Sequence, residues 1–307
     1  MLLLLLLLLW CACSNASPNF NEYNETTLKG HTEPVFSAQF SPADPNLIAS
    51  ASGDRTIRLW NASGSGAGER IITTEFTDLI LSLAFSRDGK MIAAGSKDKT
   101  VRVFDSSTGA QLNFFADHSD RVWAVAWNHN SSLLVSSSND QSLRVYDVKN
   151  SRMLSVTGSR ARNDVALSLC FSNDGSSQNM LAYGSADRTI KICLLKRRST
   201  SCKMVLRGHD DLVLSVAFSP DSKILASASA DSSIKLWNVA TGVCEVTLVG
   251  HSNKVLSLGF SPWGKYLVSG GSDNTVRVWD FATGNWLSYK SVVFFSAVID
   301  QRACLQR

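Results

Sequence analysis

RGHDDLVLSVAFSPDSKILASASADSSIKLWNVATG, which spans residues 207–242, is the clearest copy of a unit of about 42 residues that recurs along the chain. A Gly-His pair opens the unit, an Asp follows 22 residues after the His, and a Trp follows six residues after that Asp. These positions are held here by His209, Asp231 and Trp237. A fixed period of this size indicates a repeat architecture, so the repeat decides the fold prediction.

Six copies of the unit follow one another from Leu28, and each contains the Asp. The six aspartates are Asp54, Asp98, Asp140, Asp187, Asp231 and Asp273, and the residues six positions later are Trp60, Phe104, Tyr146, Cys193, Trp237 and Trp279. The interval between successive aspartates varies from 42 to 47 residues, whereas the six-residue interval is constant. Insertions therefore fall in loops, and we place the repeats at 28–69, 70–110, 111–152, 153–203, 204–243 and 244–284.

Within each unit the apolar residues alternate with a period of two, as in residues 213–218, and no segment shows the 3.6-residue period of a helix. Turn-forming residues such as Ser219-Pro220-Asp221 separate the short apolar runs. Four short strands in each unit predict an all-β fold, a β-propeller of four-stranded blades around a central channel.

Gly30-His31, Gly208-His209, Gly250-His251 and Trp279-Asp280 resemble the markers of the WD-repeat (β-transducin-like) family, and the resemblance covers about residues 28–284. It implies that the His, a Ser on the second strand, the turn Asp and the third-strand Trp form a buried hydrogen-bonded tetrad. The implied tetrads are His31, Ser50, Asp54, Trp60; His118, Ser136, Asp140, Tyr146; His209, Ser227, Asp231, Trp237; and His251, Ser269, Asp273, Trp279. Their role is structural, and we predict no catalytic residue among them, although the residue types imitate a hydrolase triad.

Repeats two and four depart from this pattern. Repeat two keeps only Asp98, and in repeat four Tyr183 and Cys193 replace the Ser and Trp, with Arg162 where the His is expected. We predict that these two blades are the least stable. In repeat three the hydroxyl of Tyr146 is expected to replace the indole N–H as a hydrogen-bond donor.

The two ends of the chain leave alternatives open. Residues 1–16, an apolar run followed by small residues, resemble a secretory signal that is too short to span a bilayer, but they lack a basic start and could derive from a misassigned start codon. We interpret residues 17–27 as a linker and the start of a latching strand. Residues 288–307 are a divergent tail or a partial seventh blade beginning near 292–299, so the alternatives are a six-bladed ring with a tail and a seven-bladed ring with an incomplete closing blade.

Composition and motifs exclude several classes of function. The net charge of +4 predicts neither nucleic-acid nor membrane-surface binding. Seven cysteines without regular spacing or a CxxC pair predict neither a zinc site nor a disulfide framework, and we expect them to be small buried residues of a reduced protein. No HExxH, P-loop or GxSxG motif occurs, so we predict no enzyme, metal, cofactor or small-molecule substrate.

The resemblance places the start of each inner strand on the narrow face of the propeller, around the channel. The six residues at this position are all apolar, and we call them the apolar ring: Phe36, Leu81, Trp123, Leu167, Leu214 and Leu256. Basic residues are expected nearby, at Arg121, Lys254, Arg160 and Arg162. An apolar patch with Trp and Arg suits a protein or peptide partner; the alternative is that the ring only packs the channel mouth.

These features favour an intracellular interaction scaffold, in the cytoplasm or nucleus. A secreted or luminal ligand-binding propeller is the alternative if residues 1–16 are a genuine signal. A substrate receptor of a ubiquitin ligase is a further alternative, but the Trp-Asp-x-Arg signature of many such receptors is absent, because Phe281 and Ala282 follow Trp279-Asp280.

Overall fold

The structure is a computed structural model that describes residues 28–62, 70–72, 74–158, 163–173, 179–196, 199–280 and 286–287. Within these ranges the chain contains strands and turns and no helix. Six antiparallel four-stranded sheets follow one another as blades around a central channel, which confirms the predicted all-β propeller. The predictions for residues 1–27 and 288–307 lie outside the described residues.

Blades one to three contain the first twelve strands. Blade one comprises β1 (Val35–Phe40), β2 (Leu47–Ser52), β3 (Ile57–Asn61) and β4 (Arg70–Ile72). Blade two comprises β5 (Ile80–Phe85), β6 (Met91–Ser96), β7 (Val101–Asp105) and β8 (Gln111–Phe115). Blade three comprises β9 (Val122–Trp127), β10 (Leu133–Ser138), β11 (Ser142–Asp147) and β12 (Arg152–Gly158).

Blades four to six repeat this order from the inner to the outer strand. Blade four comprises β13 (Ala166–Phe171), β14 (Met180–Ser185), β15 (Ile190–Lys196) and β16 (Ser199–Leu206). Blade five comprises β17 (Val213–Phe218), β18 (Ile224–Ser229), β19 (Ser233–Asn238) and β20 (Cys244–Val249). Blade six comprises β21 (Val255–Phe260), β22 (Tyr266–Gly271), β23 (Val276–Asp280) and β24 (Trp286–Leu287).

The turn between the second and third strands explains why the Asp is present in every copy. Asp231 accepts the backbone N–H of Ser233 at 2.8 Å and its hydroxyl at 2.7 Å, while the intervening Ser232 takes a left-handed conformation with φ of 71°. All six blades form the same turn. The six residues with positive φ are Arg55, Lys99, Gln141, Arg188, Ser232 and Asn274. The Asp is therefore needed to satisfy the turn, with or without a histidine.

Hydrophobic clusters join each blade to the next along the series. Five clusters of buried side chains lie between blades one and two, two and three, three and four, four and five, and five and six. Ile92 and Trp237 show the arrangement, since each packs towards the preceding blade. The core is thus distributed between sheets, which is the packing expected of a solenoid-like repeat.

The cysteines correct one sequence-based expectation. Cys193 and Cys202 form a disulfide that joins β15 to the outer strand β16, whereas Cys170 and Cys244 are free thiols. The expectation of a wholly reduced protein was wrong because the bond depends on strand register. A spacing of nine residues carries no signal until the antiparallel pairing places Cys193 opposite Cys202.

Candidate functional site

The tetrads of blades one, five and six form continuous hydrogen-bonded chains. In blade five, His209 Nδ1 lies 2.7 Å from Asp231 Oδ2, its Nε2 lies 2.7 Å from Ser227 Oγ, and Trp237 Nε1 donates to the same hydroxyl at 2.8 Å. The corresponding distances in blades one and six are between 2.7 and 2.8 Å. Each set ties the loop before the inner strand to the second and third strands.

The electrostatics of these tetrads suit a structural role. Burial alone would raise the pKa of Asp54, but hydrogen bonds from Thr56 and His31 outweigh burial and lower this pKa to about 2. The pKa values of Asp140 and Asp231 are lowered to about 2 by similar contacts that outweigh burial. Burial lowers the pKa of His209 below its ordinary value, and Asp231 offsets that only in part. The histidine is therefore neutral at pH 7, and its two ring nitrogens are both occupied.

Blade three keeps the histidine but not the indole donor. His118 lies 2.9 Å from Asp140 and 2.6 Å from Ser136. Tyr146 is fully buried and stacks on Phe115 with ring centroids 4.2 Å apart, and its hydroxyl has no hydrogen-bond partner among the described residues. The ring of Tyr146 thus fills the indole position by packing, without the bond expected of its hydroxyl.

Blade two replaces the histidine network by stacking. Phe76 stands at the histidine position, and the guanidinium carbon of Arg102 lies 5.1 Å from its ring centroid and 4.6 Å from that of Phe114. Arg102 also donates to Glu75 Oε2 at 3.0 Å. Cation–π contacts of this kind are favourable by about 0.5–2 kcal/mol, more when desolvated.

Blade four replaces the network by a buried ion cluster. The Lys191 ammonium contacts both Asp164 and Asp187, and Asp164 accepts the Ser185 hydroxyl at 2.9 Å. Tyr183 covers the cluster, with the ammonium 5.4 Å from its ring centroid. The side chains of Lys191 and Asp164 are only 8% and 5% exposed, so these charges depend on each other for compensation.

Sequence reasoning missed one element of the tetrads. The residue two positions after each turn Asp carries a hydroxyl that donates to the Asp. The six residues are Thr56, Thr100, Ser142, Thr189, Ser233 and Thr275. The signal was present in the sequence, since all six copies have Ser or Thr at this position.

The apolar ring lines the channel. All six of its side chains are half-buried and border one cavity of about 550 Å³ that continues between the inner strands. Each sits at the second position of an inner strand, where the backbone faces the channel instead of a neighbouring blade. The structure therefore brings together six residues that are about 40 positions apart in the chain.

Trp123 is the largest member of the ring, and its neighbours hold it in place. The guanidinium of Arg121 lies 5.6 Å from the Trp123 ring centroid, and the indole N–H donates to Asn139 Oδ1 at 3.4 Å. Asn139 in turn donates to Asp120 at 2.6 Å. The Arg121 side chain is only 12% exposed and lies 3.8 Å from the Asp120 carboxylate, so it supports Trp123 more than it presents a charge to a partner.

Of the other three basic residues predicted for this face, the structure describes only Lys254. Lys254 is half-buried two residues before Leu256 at the channel mouth. Arg160 and Arg162 lie outside the described residues. In the part of the chain that the structure describes, no group of three or more His, Cys, Asp or Glu side chains could hold a metal ion.

Among the described residues, no helix is long and apolar enough to cross a bilayer.

Comparison with known families supports the repeat assignment. The sequence profile described as "WD domain, G-beta repeat" matches residues 23–61, 69–105, 109–147, 200–238 and 242–280, which together cover more than half of the chain. These ranges leave out residues 148–199, where the structure nevertheless forms most of blade four. Blade four is also one of the two blades that depart from the tetrad pattern.

Curated relatives match over much of the chain. Nuclear distribution protein nudF 1 of Talaromyces marneffei is 32% identical over 237 residues, which is 70% of this chain and 51% of that protein. Nuclear distribution protein nudF of Emericella nidulans is 29% identical over 223 residues, covering 73% and 44%. Coronin-7 of Rattus norvegicus is 39% identical over 97 residues, covering 32% and 10%. The chain spans about half the length, or less, of these relatives.

Proposed function

This chain belongs to the WD-repeat family, and we propose that it is a non-catalytic intracellular scaffold that binds a protein or peptide partner at the apolar ring. The family membership supports a role in protein interaction. The relatives named nuclear distribution proteins favour an intracellular role for this chain as well. The histidines of the tetrads have their ring nitrogens engaged in structural bonds, which leaves them no part in acid–base chemistry.

The observation that carries the proposal is the half-buried apolar ring around an open cavity. Binding energy at interfaces concentrates in a few aromatic and arginine side chains that are already held in place. Trp123 has this character, because Arg121 stacks on it and Asn139 accepts its indole N–H. A partner that inserts an apolar side chain at the channel mouth would bury Trp123 together with Leu81 and Leu167.

Affinity capture with the tagged full-length chain, read by mass spectrometry, tests the proposal. Trp123→Ala is expected to reduce partner recovery at least about tenfold, which corresponds to the loss of one hot-spot residue. Trp263→Ala is the matched control, because Trp263 is 73% exposed in a turn that does not line the channel cavity. Equal recovery with Trp123→Ala and the wild type would exclude the apolar ring as the binding site.

One observation favours a second candidate, a secreted or luminal ligand-binding propeller. Disulfides persist in oxidising compartments and are rare in the cytosol, and Cys193 is bonded to Cys202. Asn130, which begins an Asn-Ser-Ser sequon, is exposed in the turn between β9 and β10. Non-reducing peptide mapping of protein from its own cells, with analysis for glycan on Asn130, separates the candidates. A linked Cys193–Cys202 peptide with a glycan supports the secretory candidate, and free thiols without a glycan support the intracellular one.

A further inference from the structure

The Cys193–Cys202 bond occupies a position that has a counterpart in blade five. On the third strand this is the indole position of the tetrad, and a bulge sets the residue opposite it on the outer strand. In blade five the pair is Trp237 and Cys244, and Cys244 is a free thiol. In blade four Cys193 replaces the indole, and Cys202 opposite it is bonded. The residue on the third strand therefore decides whether the outer-strand cysteine is free or bonded.

The two cysteines of the bond differ in exposure. Cys193 is 0% exposed and packs in the cluster between blades three and four. Cys202 is exposed and borders a cavity of about 250 Å³ between the same blades, which Gln141 and Thr157 line from blade three. The sulfur that a thiolate attacks in a disulfide depends on access. Attack on this disulfide is therefore directed to Cys202.

The fold of blade four does not depend on the bond. β15 and β16 pair along their length, from Ile190 opposite Leu206 to Lys196 opposite Ser199. The bonded cysteines are nine residues apart in the chain, and so short a loop restricts the unfolded chain less than a long one does. The bond can therefore open while the sheet stays paired.

We propose that Cys202 is a site of reversible S-glutathionylation, that Cys193 is its resolving thiol, and that the bond between them locks the outer strand of blade four. The inference rests on the intracellular role proposed above, because glutathione keeps cytosolic thiols reduced. Both cysteines are then free thiols in the resting protein. The bonded pair is the oxidised state.

The oxidant is glutathione disulfide, and the steps balance. The Cys202 thiolate attacks one sulfur of glutathione disulfide, which forms a mixed disulfide on Cys202 and releases one glutathione thiolate. Cys193 then attacks Cys202 Sγ, which forms the protein disulfide and releases the second glutathione thiolate. The two protons of the cysteine thiols pass to the two glutathione molecules. Reduction reverses these steps, beginning with a glutathione thiolate at the exposed Cys202 Sγ and with Cys193 as the leaving thiolate.

Differential thiol labelling of the folded full-length chain, read by mass spectrometry, tests the roles of the two cysteines. The protein is reduced and then incubated with glutathione disulfide as the probe. The wild type should yield the linked Cys193–Cys202 peptide. Cys193→Ser should accumulate the glutathione adduct on Cys202, because no second thiol displaces it. Cys202→Ser should carry at least about tenfold less adduct on Cys193, because that sulfur is buried.

Two results overturn these roles. One is an adduct on Cys193 in Cys202→Ser at the level found on Cys202 in Cys193→Ser. The other is a bond that excess reduced glutathione does not open in the folded wild type, because the disulfide would then be permanent. Neither result bears on partner recovery at the apolar ring, which affinity capture measures separately.

Hydrogen–deuterium exchange of the full-length chain tests the lock. Reduction of the wild type is expected to raise amide exchange in Ser199–Leu206 about tenfold, while Cys244–Val249, the outer strand of blade five, stays unchanged as the matched control. Cys202→Ser should exchange like the reduced wild type and should not respond to reductant. Equal exchange in the oxidised and the reduced wild type overturns the lock.

Discussion

At the scale of single residues, the turn aspartates differ in which side chains they bind. Asp273 holds its turn through Thr275 and also binds His251 at 2.8 Å. Asp98 holds its turn through Thr100 in the same way, but Phe76 replaces the histidine in that blade. Removing Asp273 therefore leaves Nδ1 of the buried His251 without its carboxylate partner, although Nε2 keeps its bond to Ser269, whereas removing Asp98 deprives no histidine of a partner.

We predict that Asp273→Ala lowers the free energy of unfolding by about 1–3 kcal/mol more than Asp98→Ala, which is the cost of an unsatisfied buried polar group. Denaturant titration of both variants measures the difference. An equal loss in the two variants would show that the histidine bond contributes nothing to stability.

The tetrads also predict how stability depends on pH. The folded-state pKa values of His118, His209 and His251 are lowered by burial, so below pH 6.5 the unfolded chain binds protons that the folded chain does not. Stability is then complete above pH 6.5 and falls as the pH drops below it. A second loss follows between pH 3.8 and about 2, where the lowered pKa values of Asp54, Asp140 and Asp231 apply.

Urea unfolding at pH values of about 7.5, 5 and 3 measures these two losses of stability. The midpoint should fall from the first pH to the second and fall again at the third. A midpoint that rises on going from pH 7.5 to 5 would mean that the tetrad histidines are charged in the folded protein.

Local spacing explains why part of the site could be predicted. His209, Ser227, Asp231 and Trp237 recur at fixed offsets that resemble the WD-repeat pattern, and the contacts which that resemblance implies are present in the structure. The contacts of the ion cluster in blade four could not be predicted in this way. A basic residue occupies the position of Lys191 in every blade, and nothing in the sequence marks Lys191 as the one that lies between two carboxylates.

At the scale of the element, blade four shows how a sheet that lacks the tetrad remains a blade. Lys191 lies between Asp164 and Asp187, and the Cys193–Cys202 bond ties the outer strand to the third strand. Both features depend on strand register, which the sequence alone does not give. The expectation that blades two and four are the least stable stays a prediction, and Lys191 offers the way to test it.

We predict that Lys191→Met destabilises the protein by about 3–5 kcal/mol, because Asp164 would be left buried without a counter-charge. Lys235→Met is the matched control, since Lys235 occupies the same position in blade five and bonds only the exposed hydroxyl of Thr247. The control should change stability by less than about 0.5 kcal/mol. Thermal denaturation of both variants measures this, and similar melting temperatures would mean that the ion cluster does not stabilise blade four.

At the scale of the whole molecule, the repeat predicts the ring. Period and turn chemistry were enough to predict six four-stranded blades, and the apolar ring follows from stacking those blades around one channel. Phe36 and Leu256 come from the first and the last blade of the series, so the proposed binding face is assembled from all six blades.

We propose that the partner binds at the channel mouth on the narrow face. Hydrogen–deuterium exchange of the full-length chain, with and without the captured partner, tests it most directly. We predict protection at the starts of the inner strands, in residues 79–83, 121–125, 212–216 and 254–258. The turns on the opposite face that do not line the cavity, in residues 219–223 and 261–265, should be unchanged. Protection confined to those turns or to the outer strands would contradict the claim.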